Sequence, residues 1–122
     1  MKLVIIFLML SLSFGKVSLA QNGSTAEQNE QAYLAYEQSN RAMVCVYKTL
    51  LKNFEDYDLD GAAKKALIAA QQAFISYRVR EGEFLAQQFK GGSMLPTFKY
   101  KALKKLTDFR KKQLIDELSV FR

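Results

Sequence analysis

The chain is 122 residues long, 49% hydrophobic and 25% charged, and its 18 lysines and arginines outweigh 12 aspartates and glutamates for a net charge of +6. With no histidine and a single cysteine, Cys45, it offers no intramolecular disulfide, no histidine-based catalytic pair and no histidine metal centre. This length supplies one core, and one proline among only six glycines leaves long stretches free to be helical.

Residues 1–20, MKLVIIFLMLSLSFGKVSLA, carry Lys2, an apolar run from Leu3 to Phe14, and small residues at Ser18 and Ala20. This is the pattern of a secretory signal cleaved before Gln21. The run is shorter than the roughly 20 residues needed to cross a bilayer, and no later stretch is comparably apolar. No cysteine follows the cleavage point to carry a lipid. Residues 21–122 are therefore expected to be one soluble domain, periplasmic or secreted, without a membrane span. Loss of Lys2 and Lys16 lowers the net charge from +6 to +4.

Ser24 followed by Glu27 forms a capping box, so the first helix is predicted to begin near Thr25. Tyr33, Tyr36, Asn40, Met43, Tyr47, Leu50 and Phe54 then recur at three- and four-residue spacing along one face. Cys45 falls within this run and reads as a small buried apolar residue, with a bridge to a second copy as the alternative. The acidic stretch Glu55, Asp56, Tyr57, Asp58, Leu59, Asp60, Gly61 breaks the period, and Asp58 or Asp60 is placed to cap a second helix. That helix is predicted to run to about Gln88 with Leu67, Ala70, Phe74, Tyr77, Glu81 and Phe84 as its stripe. Gly91 and Gly92 stop it, Ser93 is placed to cap a third helix, and Pro96 fits that helix's first turn. Leu103, Leu106, Arg110, Leu114, Leu118 and Phe121 mark the third stripe. The expected fold is all-α: an elongated three-helix antiparallel hairpin or bundle.

No nucleophile elbow or phosphate loop occurs, and Glu81 and Glu83, two apart on a helix, point to different sides. Catalysis and a cofactor are not expected. Asp56, Asp58, Asp60 and Gly61 reproduce the opening of a calcium-binding EF-hand loop, yet its twelfth position, which must supply a bidentate carboxylate, is Leu67. A solvated turn that caps the second helix is the simpler reading, so no metal site is assigned. Asn40, Tyr77, Arg78, Glu81, Thr107 and Arg110 fall on or beside the inward stripes. A buried charge must be paired and hydrogen-bonded, which suggests a network of Arg78 or Arg110 with Glu81, with Asn40 and Thr107 as neutral partners, that fixes helix register, a ligand-binding role being the alternative. Residues 99–122 hold eight basic groups against Asp108, Asp116 and Glu117, a cationic end suited to an anionic envelope surface. Export argues against nucleic acid as the partner.

The segment Ala70, Gln71, Ala73, Phe74, Tyr77, Arg78, Glu81 resembles the pattern AQ-x-A-[WF]-x-x-[YF]-R-x-x-E. With Gly91-Gly92-Ser93-Met94-x-Pro96 and Leu106-Thr107-x-x-Arg110-x-x-x-Leu114, it is similar to the LprI-type lysozyme inhibitors from about Thr25 to Leu118. The resemblance implies a helical, exported protein that binds and blocks lysozyme. Members commonly carry cysteines where this chain has Gln31, Gly82 and Ala102. A bridge between the last two would tie the second helix to the third. They also carry aspartates where this chain has Asn40 and Val79, so negative partners of the arginines are missing.

Host-defence lysozymes are strongly basic, and a chain at +4 is repelled by them at long range. Only a local acidic feature reverses this, which makes Glu55, Asp56, Asp58 and Asp60 the candidate partner-binding residues, acting by occlusion of the sugar cleft. The alternative is an envelope-binding or structural module that uses the basic third helix. A monomer and a Cys45-linked dimer both remain open.

Overall fold

The structure, a computed structural model, describes residues 23–57 and 60–120. The expected signal segment, Asp58, Leu59 and Phe121 lie outside the described residues. The described chain forms three helices: α1 (Thr25–Tyr57), α2 (Ala62–Gln88) and α3 (Leu95–Ser119).

Local chemistry sets their ends. Ser24 Oγ accepts the Glu27 amide at 3.2 Å, the first half of the expected capping box. From there α1 runs 33 residues, about 50 Å. Gly61 takes a left-handed φ of 73° to redirect the chain, and Asp60 Oδ1 accepts the Ala62 amide at 3.0 Å. After α2, Gly91 adopts φ 87°, where a side chain would be strained, while the Gly92 amide closes back on the Phe89 carbonyl at 3.1 Å.

The start of α3 departs from expectation. Met94 is its N-cap residue, with no side-chain cap, and Ser93 does not cap the helix. A residue of α1 does so instead: Asn29 Oδ1 accepts both the Thr97 amide, at 3.0 Å, and the Thr97 hydroxyl. Asn29 Nδ2 donates in turn to the Ser93 carbonyl at 3.3 Å. The turn has aimed that carbonyl at α1, so Ser93 contributes its backbone and Asn29 does the capping.

Contacts between α1 and α3 keep a nearly constant sequence offset, from Asn29 with Thr97 to Ser39 with Asp108, so these helices are parallel. Contacts of α2 run the other way, Gln71 meeting Met43 and Arg78 meeting Asn40, so α2 is antiparallel to both. The α1–α3 interface is the most extensive and α1–α2 the slightest. Small buried residues on α1, Ala32 and Ser39, let α3 come close.

The core changes character along the bundle. Toward the α1–α2 connection it is apolar: Met43, Leu50, Leu67 and Leu114 are buried, packed by Phe54, Phe74, Ile75 and Leu118. Toward the α2–α3 turn it is aromatic and polar: Tyr36 stacks on Tyr100 at 5.8 Å, and the exposed Tyr33 meets Tyr100 edge-on at 5.1 Å. Cys45 is exposed rather than buried. It lies two residues, about 200° of helix, beyond Met43 and so off the inward stripe.

The face of α2 also differs from the predicted stripe. Leu67, Gln71, Arg78 and Gly82 are its buried residues, while Ala70, Tyr77 and Phe84 are exposed. A side chain added at Gly82 would meet Lys99 at 3.3 Å and Leu103 at 3.5 Å, so α2 passes close to α3 there. That close approach, together with the reach of Arg78 into the bundle, turns the Tyr77–Phe84 stripe outward.

Candidate partner-binding site

Two groups of residues stand out, a polar belt inside the bundle and an acidic end outside it. In the belt, Arg78 Nη1 donates to Asn40 Oδ1 at 2.8 Å and to Thr107 Oγ1 at 3.0 Å, while Thr107 passes its own hydrogen to the Leu103 carbonyl at 2.8 Å. The Arg78 guanidinium lies over the rings of Tyr36 and Phe74, at 5.3 and 5.5 Å. Arg110 takes the other approach to Phe74, at 5.9 Å, and its Nε donates to Gln71 Oε1 at 3.0 Å. Burial pushes the Tyr36 phenol above its ordinary value, and the Arg78 charge opposes that rise.

Three helices thus meet around one buried cation whose side-chain partners are neutral. Asn40, Arg78 and Thr107 come together, and Arg110 joins through Gln71. Tyr77 and Glu81 do not: Tyr77 is 51% exposed, and Glu81 is half-buried in the groove between α2 and α3. Among the described residues no ion pair links Glu81 to either arginine. The Asn40–Arg78 contact lies where the resemblance implies an aspartate, so an amide occupies the place of a counter-charge. Gln71, Asn29 and Ser39 also make polar contacts between helices, and none of them lies on the predicted stripes.

At the other end of the bundle, Glu55 and Asp56 close α1 and Asp60 precedes α2, all exposed. Glu55 Oε1 bridges to Lys64 Nζ at 3.0 Å across the connection, and Asp60 holds the first amide of α2. Tyr57 stands beside them, 69% exposed. Among the described residues no three cysteine or acidic side chains are gathered so as to hold a metal ion. Gly91, Gly92, Ser93 and Pro96 lie at the opposite end and serve the turn.

Residues 18–114 match a family described as "Lysozyme inhibitor LprI". The chain belongs to the LprI lysozyme inhibitor family. No curated protein and no solved structure matches it. Within the LprI frame, Gly82 and Ala102 face the α2–α3 contact, the one against Leu103 and the other beside Leu106 in a shared groove. The bridge that the resemblance implies between these positions would therefore cross two helices already packed together. No described helix is long and apolar enough to cross a membrane.

Proposed function

We propose that this LprI-family chain is an exported lysozyme inhibitor that works by steric occlusion, with the acidic end of the α1–α2 hairpin as its contact and no chemistry of its own. The observation that carries this reading is the exposed acidic tip, Glu55, Asp56 and Asp60 with Asp58 between them in sequence, on a chain whose net charge is positive. A basic partner is repelled by the whole molecule and attracted by this end, so the acidic tip steers the approach. The flanking Tyr57 is the residue type that most often anchors an interface, an apolar ring with a polar edge. Helices fixed by a polar belt give the tip a rigid base, which limits the entropy lost on docking.

The test is clearance of a bacterial cell-wall suspension by lysozyme with increasing amounts of the purified protein. The wild type slows clearance in proportion to its occupancy. The variant with Asp56, Asp58 and Asp60 all changed to Asn does not, while its folding is preserved because Asn also caps helices.

A second reading rests on a separate observation. Lys101, Lys104 and Lys111 of α3, with Asp108 paired to Lys104, face Gln28, Gln31 and Gln38 of α1 across two adjoining clefts. Such a cationic, amide-lined surface fits anionic envelope polymers. Binding to purified envelope that disappears at high salt, with no effect on lysozyme, favours this module over the inhibitor.

A further inference from the structure

The outer flanks of α2 and α3 carry an apolar surface that the bundle does not use. Phe84, Phe89, Phe98, Phe109 and Tyr77 are between 42% and 64% exposed. Between the helices lies a groove of about 390 Å³ lined by Leu85, Ala102, Leu106 and Phe109, with Glu81 and Lys105 at its rim. Phe89 and Phe98 extend this surface to the turn, their rings 5.3 Å apart. Both helices therefore have apolar side chains on two flanks, one in the core and one in solvent. A helix patterned in that way is normally covered on both.

We propose that this face is the interface of a two-fold symmetric homodimer. Size is the first argument. At about 200 Å² per ring, the exposed parts of the five aromatic side chains alone amount to roughly 500 Å², already at the upper range for a patch on a monomer. Leu85, Leu106 and the stems of the rim residues bring the face toward the roughly 800 Å² per partner of a stable complex. Charge is the second. The rim holds one acid on α2 and one base on α3, and a two-fold axis through the groove sets each Glu81 against the other copy's Lys105. One chain thus supplies both halves of the complementarity, which an unrelated partner would have to match from outside.

The proposal goes beyond the inhibitory reading and leaves it intact. Phe109 is the part of this face nearest the acidic tip; its neighbour Arg110 meets Gln71, ten residues or about 15 Å into α2, so pairing through this face keeps both tips open.

Sedimentation of the purified protein up to about 100 μM, in reductant so that Cys45 cannot bridge two copies, tests the proposal independently of lysozyme. The expected result is a reversible dimer. Phe84→Glu with Phe109→Glu gives a monomer of unchanged helical circular dichroism. Glu81→Lys weakens the dimer about tenfold or more, and Glu81→Lys with Lys105→Glu restores it. A wild type that stays monomeric overturns the proposal, as does a dimer that survives the paired Phe changes. Failure of the double charge swap to restore pairing overturns the two-fold register. A monomer that uses Phe84 and Phe109 to bind anionic phospholipid vesicles assigns the face to a membrane instead.

Discussion

At Asn40 the chain places a neutral amide 2.8 Å from a guanidinium that is only 8% exposed. A hydrogen bond to a charged group contributes about 1.5 to 3 kcal/mol, and one with charge on both sides is stronger still. Asn40→Asp is therefore expected to stabilise the fold by about 1 to 2 kcal/mol at neutral pH, read as a higher urea midpoint with an unchanged slope. The gain should vanish as acid protonates the new carboxylate, and a lower midpoint at pH 7 would contradict this account of the belt. Asp108 tests the same physics from the other side. Burial raises its pKa, but hydrogen bonds from Lys104 and Ser39, with the Lys104 and Lys111 charges, outweigh that and hold it below the ordinary value. Its folded form binds protons less readily than its unfolded form. The stability it contributes is thus complete above the ordinary carboxylate range near pH 4 and is lost as pH falls through the lower folded value. Urea midpoints from pH 6 down to 3 should fall less steeply for Asp108→Asn than for the wild type.

Each helix could be read from the sequence because its signals are local: Ser24 with Glu27, the Gly91-Gly92 stop, Pro96, and a stripe through Met43 and Leu50. The rotation of α2 could not. From Leu67 and Phe74, which both share, the stripe can continue through Ala70, Tyr77 and Phe84, as expected, or through Gln71, Arg78 and Gly82. The structure takes the second because Gly82 permits close approach to α3 and Arg78 finds two acceptors inside. The same ambiguity placed Tyr77 and Glu81 in the polar belt, whereas Tyr77 is exposed and Glu81 lies in the groove between α2 and α3. The cap of α3 was hidden for a different reason, since Asn29 acts from 68 residues away. Asn29→Ala removes that cap and the tie to the Ser93 carbonyl together, and is expected to cost about 1 to 2 kcal/mol. Hydrogen exchange should show the loss concentrated in the first turn of α3, whereas uniform loss over all three helices would mean that Asn29 is a general packing residue.

Taken whole, the molecule is a rod with different chemistry at each end and along each side. An acidic tip closes one end, lysines of α3 follow the side shared with α1, and an aromatic face runs along α2 and α3. The fold class and the polar belt's arginines were visible in the residues, as was the acidic tip, because composition and periodicity record them directly. The aromatic face was not, since only the assembled bundle shows which apolar side chains are left outside. The layout supports the proposed division of labour, in which the belt fixes the helices, the aromatic face meets a second copy and the tip meets lysozyme. The most direct trial of that account is the rate at which lysozyme clears a cell-wall suspension in the presence of wild type or of the variant with Asp56, Asp58 and Asp60 changed to Asn. The wild type is expected to slow clearance and the variant to leave it at the uninhibited rate. Equal inhibition by both would remove the acidic tip from the mechanism, and no inhibition by the wild type would contradict the function itself.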